Sequence, residues 1–159
     1  MKKKIIIGSD KSGFQLKEAV KEHLIEEGYD VTDAGTTDEE HAMAYYEAAE
    51  AVAPRISSGE FEKGLLICGT GMGMAVVANK FKGVYAAVCE NTFAAEKSRA
   101  INNANVLTMG GWITAPFVGI QIADKFLNTE FTEGLEDWRA KNLRAALKEV
   151  EALEDKLYK

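Results

Sequence analysis

The chain has 159 residues, 47% of them hydrophobic and 28% charged, with a net charge of −6. That length and balance fit one globular domain with a sizeable core. Lysines and arginines are spread along the chain, which argues against a nucleic-acid surface, and no apolar run approaches the length of a membrane span.

The opening "MKKKIIIGSD" carries only three isoleucines, too few for a signal-peptide core, and reads as a lysine-flanked first strand. "SGFQLKEAVKEHLIEEG" follows as a helix, with Ser12 and Gln15 at capping-box spacing and Gly28 as its terminator. "YDVTDAG" is a second strand. A loop with Asp38, Glu39 and Glu40 then leads to a helix from about Ala44, which Pro54 is expected to break or kink. "GLLICG", "VYAAVC" and "NVLTMGG" are the third, fourth and fifth strands. Between and after them run the helices "MAVVANKF", "NTFAAEKSRAIN", capped by Asn91 or Thr92, and "APFVGIQIADKFL". Strands alternating with helices predict a five-stranded parallel sheet covered on both faces, with ligands at the carboxyl ends of the strands. From Leu135 to Lys159 the chain reads as one long helix. Leu143, Leu147, Val150, Leu153 and Leu157 form its apolar stripe, which packs either on its own domain or on a partner subunit.

Chemistry concentrates in "LLICGTGMGMAVVANK". Gly69, Gly71 and Gly73 follow the third strand, but Met74 stands where the dinucleotide fingerprint needs its last glycine. Glu90 keeps a weakened nucleotide reading open. No Walker loop is present, and Met74 also replaces the arginine a cysteine phosphatase would need. What remains is a strand ending at Cys68, a turn that brings backbone N–H groups close to a ligand, and a helix N-terminus. Such surroundings favour a thiolate, suited to proton abstraction beside a carbonyl or to nucleophilic attack. The competing reading is a buried strand cysteine before a tight turn. Cys68 and Cys89 lie far apart, with no CxxC and no Cys/His cluster, so neither a disulfide nor a metal is expected, and a reducing cytoplasm is. Cys89 reads as structural. His23 and His41 read as exposed bystanders.

"GSDKSGFQLKEAV", "ICGTGMGMAVVANK" and "NNANVLTMGG" together resemble the family of type B ribose-5-phosphate isomerases and galactose-6-phosphate isomerases. The resemblance runs from about Lys4 to Phe131. It implies a Rossmann-like three-layer α/β/α sandwich, a single sugar-phosphate isomerase domain over residues 1–159, and a homodimer or tetramer with active sites shared between subunits. It also implies aldose–ketose isomerisation of a sugar phosphate through an enediolate, without cofactor or metal. By this resemblance Cys68 matches the base and Thr70 its neighbouring hydroxyl. Gly69, Gly71 and Gly73 match the anion-stabilising loop, Asp10 the acid near the sugar hydroxyls, Tyr45 a tyrosine lining the site and Asn102 an asparagine that reaches it.

The chain also departs from the family pattern. Lys11 replaces a histidine that helps bind phosphate. Ile101 replaces a histidine associated with opening the furanose ring, and isoleucine transfers no proton. Trp112 and Leu135 stand where relatives carry arginines. Arg139 is the remaining match for a phosphate-binding arginine, with Arg144 as an outside choice. A four-carbon sugar phosphorylated on O4 has no hydroxyl left to close a furanose, so the loss at Ile101 points to erythrulose 4-phosphate and erythrose 4-phosphate. Trp112 fits this as bulk that shortens the pocket, or it is a core tryptophan. The alternatives are a ribose-5-phosphate isomerase, one subunit of a galactose-6-phosphate isomerase pair, or a phosphosugar-binding protein without catalysis.

Overall fold

A computed structural model describes residues 3–158. Five strands alternate with helices: β1 (Lys4–Ser9), α1 (Phe14–Glu26), β2 (Asp30–Asp33), α2 (Tyr45–Ser57), β3 (Gly64–Cys68), α3 (Met72–Ala78), β4 (Ala86–Val88), α4 (Thr92–Asn102), β5 (Val106–Gly110), α5 (Pro116–Leu127) and α6 (Asp137–Leu157). Every strand pairing is parallel and the order is β2-β1-β3-β5-β4. β1, β3 and β5 are the central strands. From their second residue on they are buried, as unbroken apolar runs covered on both faces require.

Each face has its own core. Leu16, Val20 and Leu24 of α1 meet Ile122, Ala123 and Phe126 of α5 and Ala95 of α4 over Ile5, Ile7, Leu65 and Leu107. On the other face Ala48, Val52 and Ile56 of α2 join Met74 and Ala78 of α3 over Ile6, Leu66 and Val106. This is the expected α/β/α sandwich. The register pairs Ser9 with Ile67 and Cys68 with Gly110. The loops after β1, β3 and β5 therefore emerge side by side on one edge.

Several local expectations change. Ser12 does not cap α1: the helix opens after Gly13, whose N–H donates to Asp10 Oδ1 at 2.9 Å. Gly28 does terminate it, at φ +88°, with Gly28 N–H on Ile25 O and Tyr29 N–H on Leu24 O, a Schellman pattern. Pro54 does not break α2, which runs on through Ser57. α3 starts at Met72, two residues earlier than its apolar pattern suggests. Asn91 caps α4, accepting from Ala94 N–H at 2.8 Å. His23 is no bystander, because its Nε2 lies 2.8 Å from Asp124 Oδ1 and ties α1 to α5.

The terminal stripe is the largest difference between sequence pattern and packing. α6 buries only Ala140, and Val150, Leu153 and Leu157 are exposed. Its far end is pinned by polar contacts instead. Glu154 accepts from Gly83 N–H and Tyr85 Oη, both at 3.0 Å, and Lys82 pairs with Asp155 at 2.6 Å. Lys159, the last residue of the expected helix, lies outside the described residues.

Candidate active site

Cys68 ends β3 at the carboxyl edge of the sheet and is 5% exposed. Its Sγ accepts a hydrogen bond from Gly71 N–H at 3.1 Å. Gly71 precedes α3 with φ +77°, a left-handed conformation that favours glycine. Thr70 Oγ1 accepts from Met72 N–H at 3.3 Å. Among the described residues the N–H groups of Gly69 and Thr70 donate to no protein acceptor, so they remain available beside the sulfur.

The loops at this edge are fused backbone to backbone. Asp10 N–H donates to Ile67 O, Gly111 N–H to Cys68 O and Trp112 N–H to Gly69 O, at 3.3, 2.7 and 3.0 Å. A Cβ on Gly110 would lie 2.6 Å from Gly69 O, and one on Gly111 2.4 Å from Ser12 O. Two aromatic rings press on the glycine loop. The indole of Trp112 lies 2.8 Å from where a Cβ of Gly69 would stand, and the ring of Tyr45 lies 2.9 Å from that of Gly73. Trp112 is 75% exposed, which rules out the core reading.

Asp10 stands where β1 leads into α1. Burial pushes its carboxyl above the usual aspartate range, and backbone N–H bonds from Gly13 and Ser12 only partly offset this. Beside it Lys11 lines a cavity of about 310 Å³ with Gln15, Glu39, Gly111, Trp112 and Thr114. Thr114 is buried and its hydroxyl has no partner among the described residues.

One supporting residue escapes sequence reasoning. Lys17 of α1 is completely buried. Its Nζ donates to Asp33 Oδ2 at 2.6 Å and to Thr36 O, and lies 2.7 Å from Glu18 Oε1. Thr36 N–H in turn reaches Ser9 O, and Met43 N–H reaches Thr36 Oγ1. Lys17 thus anchors the segment that leads to Glu39 and Tyr45. A lysine on a helical pattern reads as solvated, and only the fold reveals its buried acceptors.

Asn102 and Arg139 are not brought to this edge in the protomer. Asn102 ends α4, just before β5 begins at Val106, which pairs with Gly64 rather than Cys68. It therefore lies at the amino edge, about 13 Å of strand from the sulfur. Arg139 is in the first turn of α6, which packs on α4. Ile101 is next to Asn102, and Arg144 Nη1 is bound to Thr132 Oγ1 at 2.8 Å. Asp38, Glu40 and His41 are close enough to share an ion, but all three are exposed in the loop before α2.

The profile of the ribose/galactose isomerase family matches residues 5–143. The chain belongs to that family. Like other ribose/galactose isomerases it is an aldose–ketose isomerase. It is 59% identical over 156 residues to the 4-deoxy-4-sulfo-D-erythrose isomerase of Clostridium sp. (strain MSTE9), covering 98% of both chains. It is 35% identical to the D-erythrulose-4-phosphate isomerase of Pectobacterium atrosepticum, covering 82% of this chain and 86% of that one. Among solved structures, ribose-5-phosphate isomerase B of Clostridium thermocellum superposes with a TM-score of 0.87 at 35% identity, covering 97% of this chain and 99% of that one. The Mycoplasma genitalium enzyme, solved with ribulose 5-phosphate, gives 0.87 at 31% identity, with 98% of each chain covered.

Proposed function

We propose that this isomerase interconverts an open-chain four-carbon aldose and its ketose, each carrying an anion on C4, by proton transfer on Cys68. The Cys68 thiolate takes a proton from C1 of the ketose and the electron pair moves onto the carbonyl oxygen, giving an enediolate. The free N–H groups of Gly69 and Thr70 hold the developing oxyanion. Asp10, whose carboxyl burial pushes above the usual aspartate range, exchanges the hydroxyl protons, and the sulfur returns its proton to C2. No electrons are gained or lost overall. The observation that carries this reaction type is the Cys68 sulfur bonded to Gly71 N–H beside those unoccupied donors.

Ile101 supports the chain length, because with no proton-transfer group there the substrate has to arrive open. A 4-deoxy-4-sulfo tetrose meets that condition as fully as a tetrose 4-phosphate, since neither has a free hydroxyl on C4. The relative that shares 59% identity is named for the sulfonate. A sulfonate carries one charge and a phosphate close to two. Lys11, and an Arg139 from a second copy, would face Glu39 in this cavity, with Trp112 in place of a further arginine, and this balance suits the single charge. Arg139 and Asn102 would join the site from a second copy of the chain, with the bare stripe of α6 as part of the contact.

The test is a panel of 4-deoxy-4-sulfo-erythrulose, erythrulose 4-phosphate and ribose 5-phosphate, with kcat/KM measured for each. The sulfonate is expected to be turned over best and the cyclic pentose worst. Equal or better turnover of ribose 5-phosphate overturns the four-carbon reading.

A further inference from the structure

We infer that Trp112 is the residue that fixes substrate length, its indole acting as a stop between the reacting end and the anion end of the substrate. The inference rests on the four-carbon reading above and assigns its specificity to one side chain.

Trp112 touches both halves of the site. Its ring lies against Gly69, within 2.8 to 2.9 Å of where a Cβ would stand, so no space remains between the indole and the oxyanion loop. The same side chain lines the cavity that holds Lys11 and Thr114. Trp112 N–H donates to Gly69 O at 3.0 Å, and Gly111 N–H holds Cys68 O at 2.7 Å. The root of the side chain is therefore fixed to the strand that carries the base. At 75% exposure the indole contributes little to the core. A large apolar ring left open to solvent and braced on a catalytic loop is placed to exclude volume from a ligand.

Because the ring is rooted in the loop, lengthening the carbon chain cannot be absorbed by sliding it away. One added carbon has to displace the indole or pull the anion away from Lys11. A single carbon in a shaped pocket changes kcat/KM by roughly 10–200-fold.

A clean test removes ring opening from the comparison. Ribulose 5-phosphate is one carbon longer than erythrulose 4-phosphate and is also acyclic, because its O5 is phosphorylated and cannot close on C2. The absence of a proton-transfer group at Ile101 therefore does not bias the pair. The ratio of kcat/KM for erythrulose 4-phosphate over ribulose 5-phosphate is measured for the wild type, Trp112→Ala and Trp112→Phe. Trp112→Ala is expected to lower the ratio at least about tenfold, mainly by a gain on ribulose 5-phosphate. Trp112→Phe keeps a ring on Gly69 and is expected to hold the ratio within about threefold of wild type. An unchanged ratio in Trp112→Ala overturns the inference, as does an equal loss on both substrates. Failure of the wild type to turn over any four-carbon substrate would instead overturn the four-carbon reading, so the two failures are distinguishable.

Discussion

In the proposed mechanism Cys68 is the residue on which the chemistry turns. It is buried apart from a small opening, and the neighbouring Gly71 N–H is fixed on its sulfur by a left-handed backbone that a side chain would strain. Cys68→Ser is expected to lower kcat by about 10²–10⁴-fold, the usual worth of a positioned acid–base group. Ligand affinity, measured by calorimetry, should stay within a few-fold of wild type. A phosphosugar-binding protein without catalysis would have had no turnover to lose. Cys89, by contrast, is enclosed between α4 and the sheet, and burial pushes its thiol up. Both cysteines end strand-like runs, and the sequence separates them only by the glycines after Cys68. Trp112 was less legible: nothing in "GGWI" distinguishes a ring on a loop from a ring in a core, and its exposure decides the matter.

At the scale of elements, the segment between β2 and α2 depends on a charge cluster that periodicity hides. Lys17 and Lys21 both reach Asp33 Oδ2, at 2.6 and 2.9 Å. Burial raises the Asp33 carboxyl, but the hydrogen bonds from the two lysines outweigh it and hold the group below the usual range. Its folded-state pKa is thus below its unfolded one. The stability it contributes is complete above the unfolded value, near 3.9, and is lost as pH falls through the folded value. Lys17→Met is expected to destabilise by about 1–3 kcal/mol at pH 7 by leaving Thr36 O without its buried donor and Asp33 with Lys21 alone. Urea unfolding at pH 7 and at pH 3 checks both statements, with a smaller difference between wild type and variant expected at the lower pH. The strands and their order of appearance were legible because unbroken apolar runs such as "KIIIGS" alternate with helical periods. The ends of helices were less so. Ser12 has the spacing of a cap, yet Asp10 reaches Gly13 N–H first, and Pro54 sits near enough to the end of α2 that little helix remains to be disrupted.

For the whole molecule, the protomer presents half of the expected site. Cys68, Thr70, Asp10, Lys11, Tyr45 and the glycines gather at the carboxyl edge, whereas Asn102 lies at the amino edge and Arg139 stands in the first turn of α6, which packs on α4. No single-chain pattern reports which residues cross to a neighbour, and this part of the expected site rests on family resemblance alone. If subunits exchange residues, two inactive variants complement each other. Cys68→Ser and Arg139→Ala, each impaired alone, are expected to regain part of the activity when unfolded together and refolded as a mixture. No recovery above the sum of the separate proteins would mean that each subunit works alone. The expected shared assembly would also cover the exposed Val150, Leu153 and Leu157, which a solitary chain leaves in water.

The fused loops at the carboxyl edge limit how this protein can change over evolutionary time. Backbone atoms at the strand ends stand where a side chain on the neighbouring loop would have to begin, at Gly13 against Ile67, Gly35 against Ser9 and Gly71 against Met109. Insertions and side-chain growth at those glycines meet main chain, which cannot move aside without disturbing the thiol. Heritable novelty is therefore channelled to side chains that stand on the loops without forming them. Lys11 and Trp112 are of that kind, and Ile101 lies away from the loops altogether. On the proposed function, a lineage exchanges a phosphate for a sulfonate, or a pentose for a tetrose, by a few replacements at such positions while the proposed proton-transfer apparatus is inherited intact.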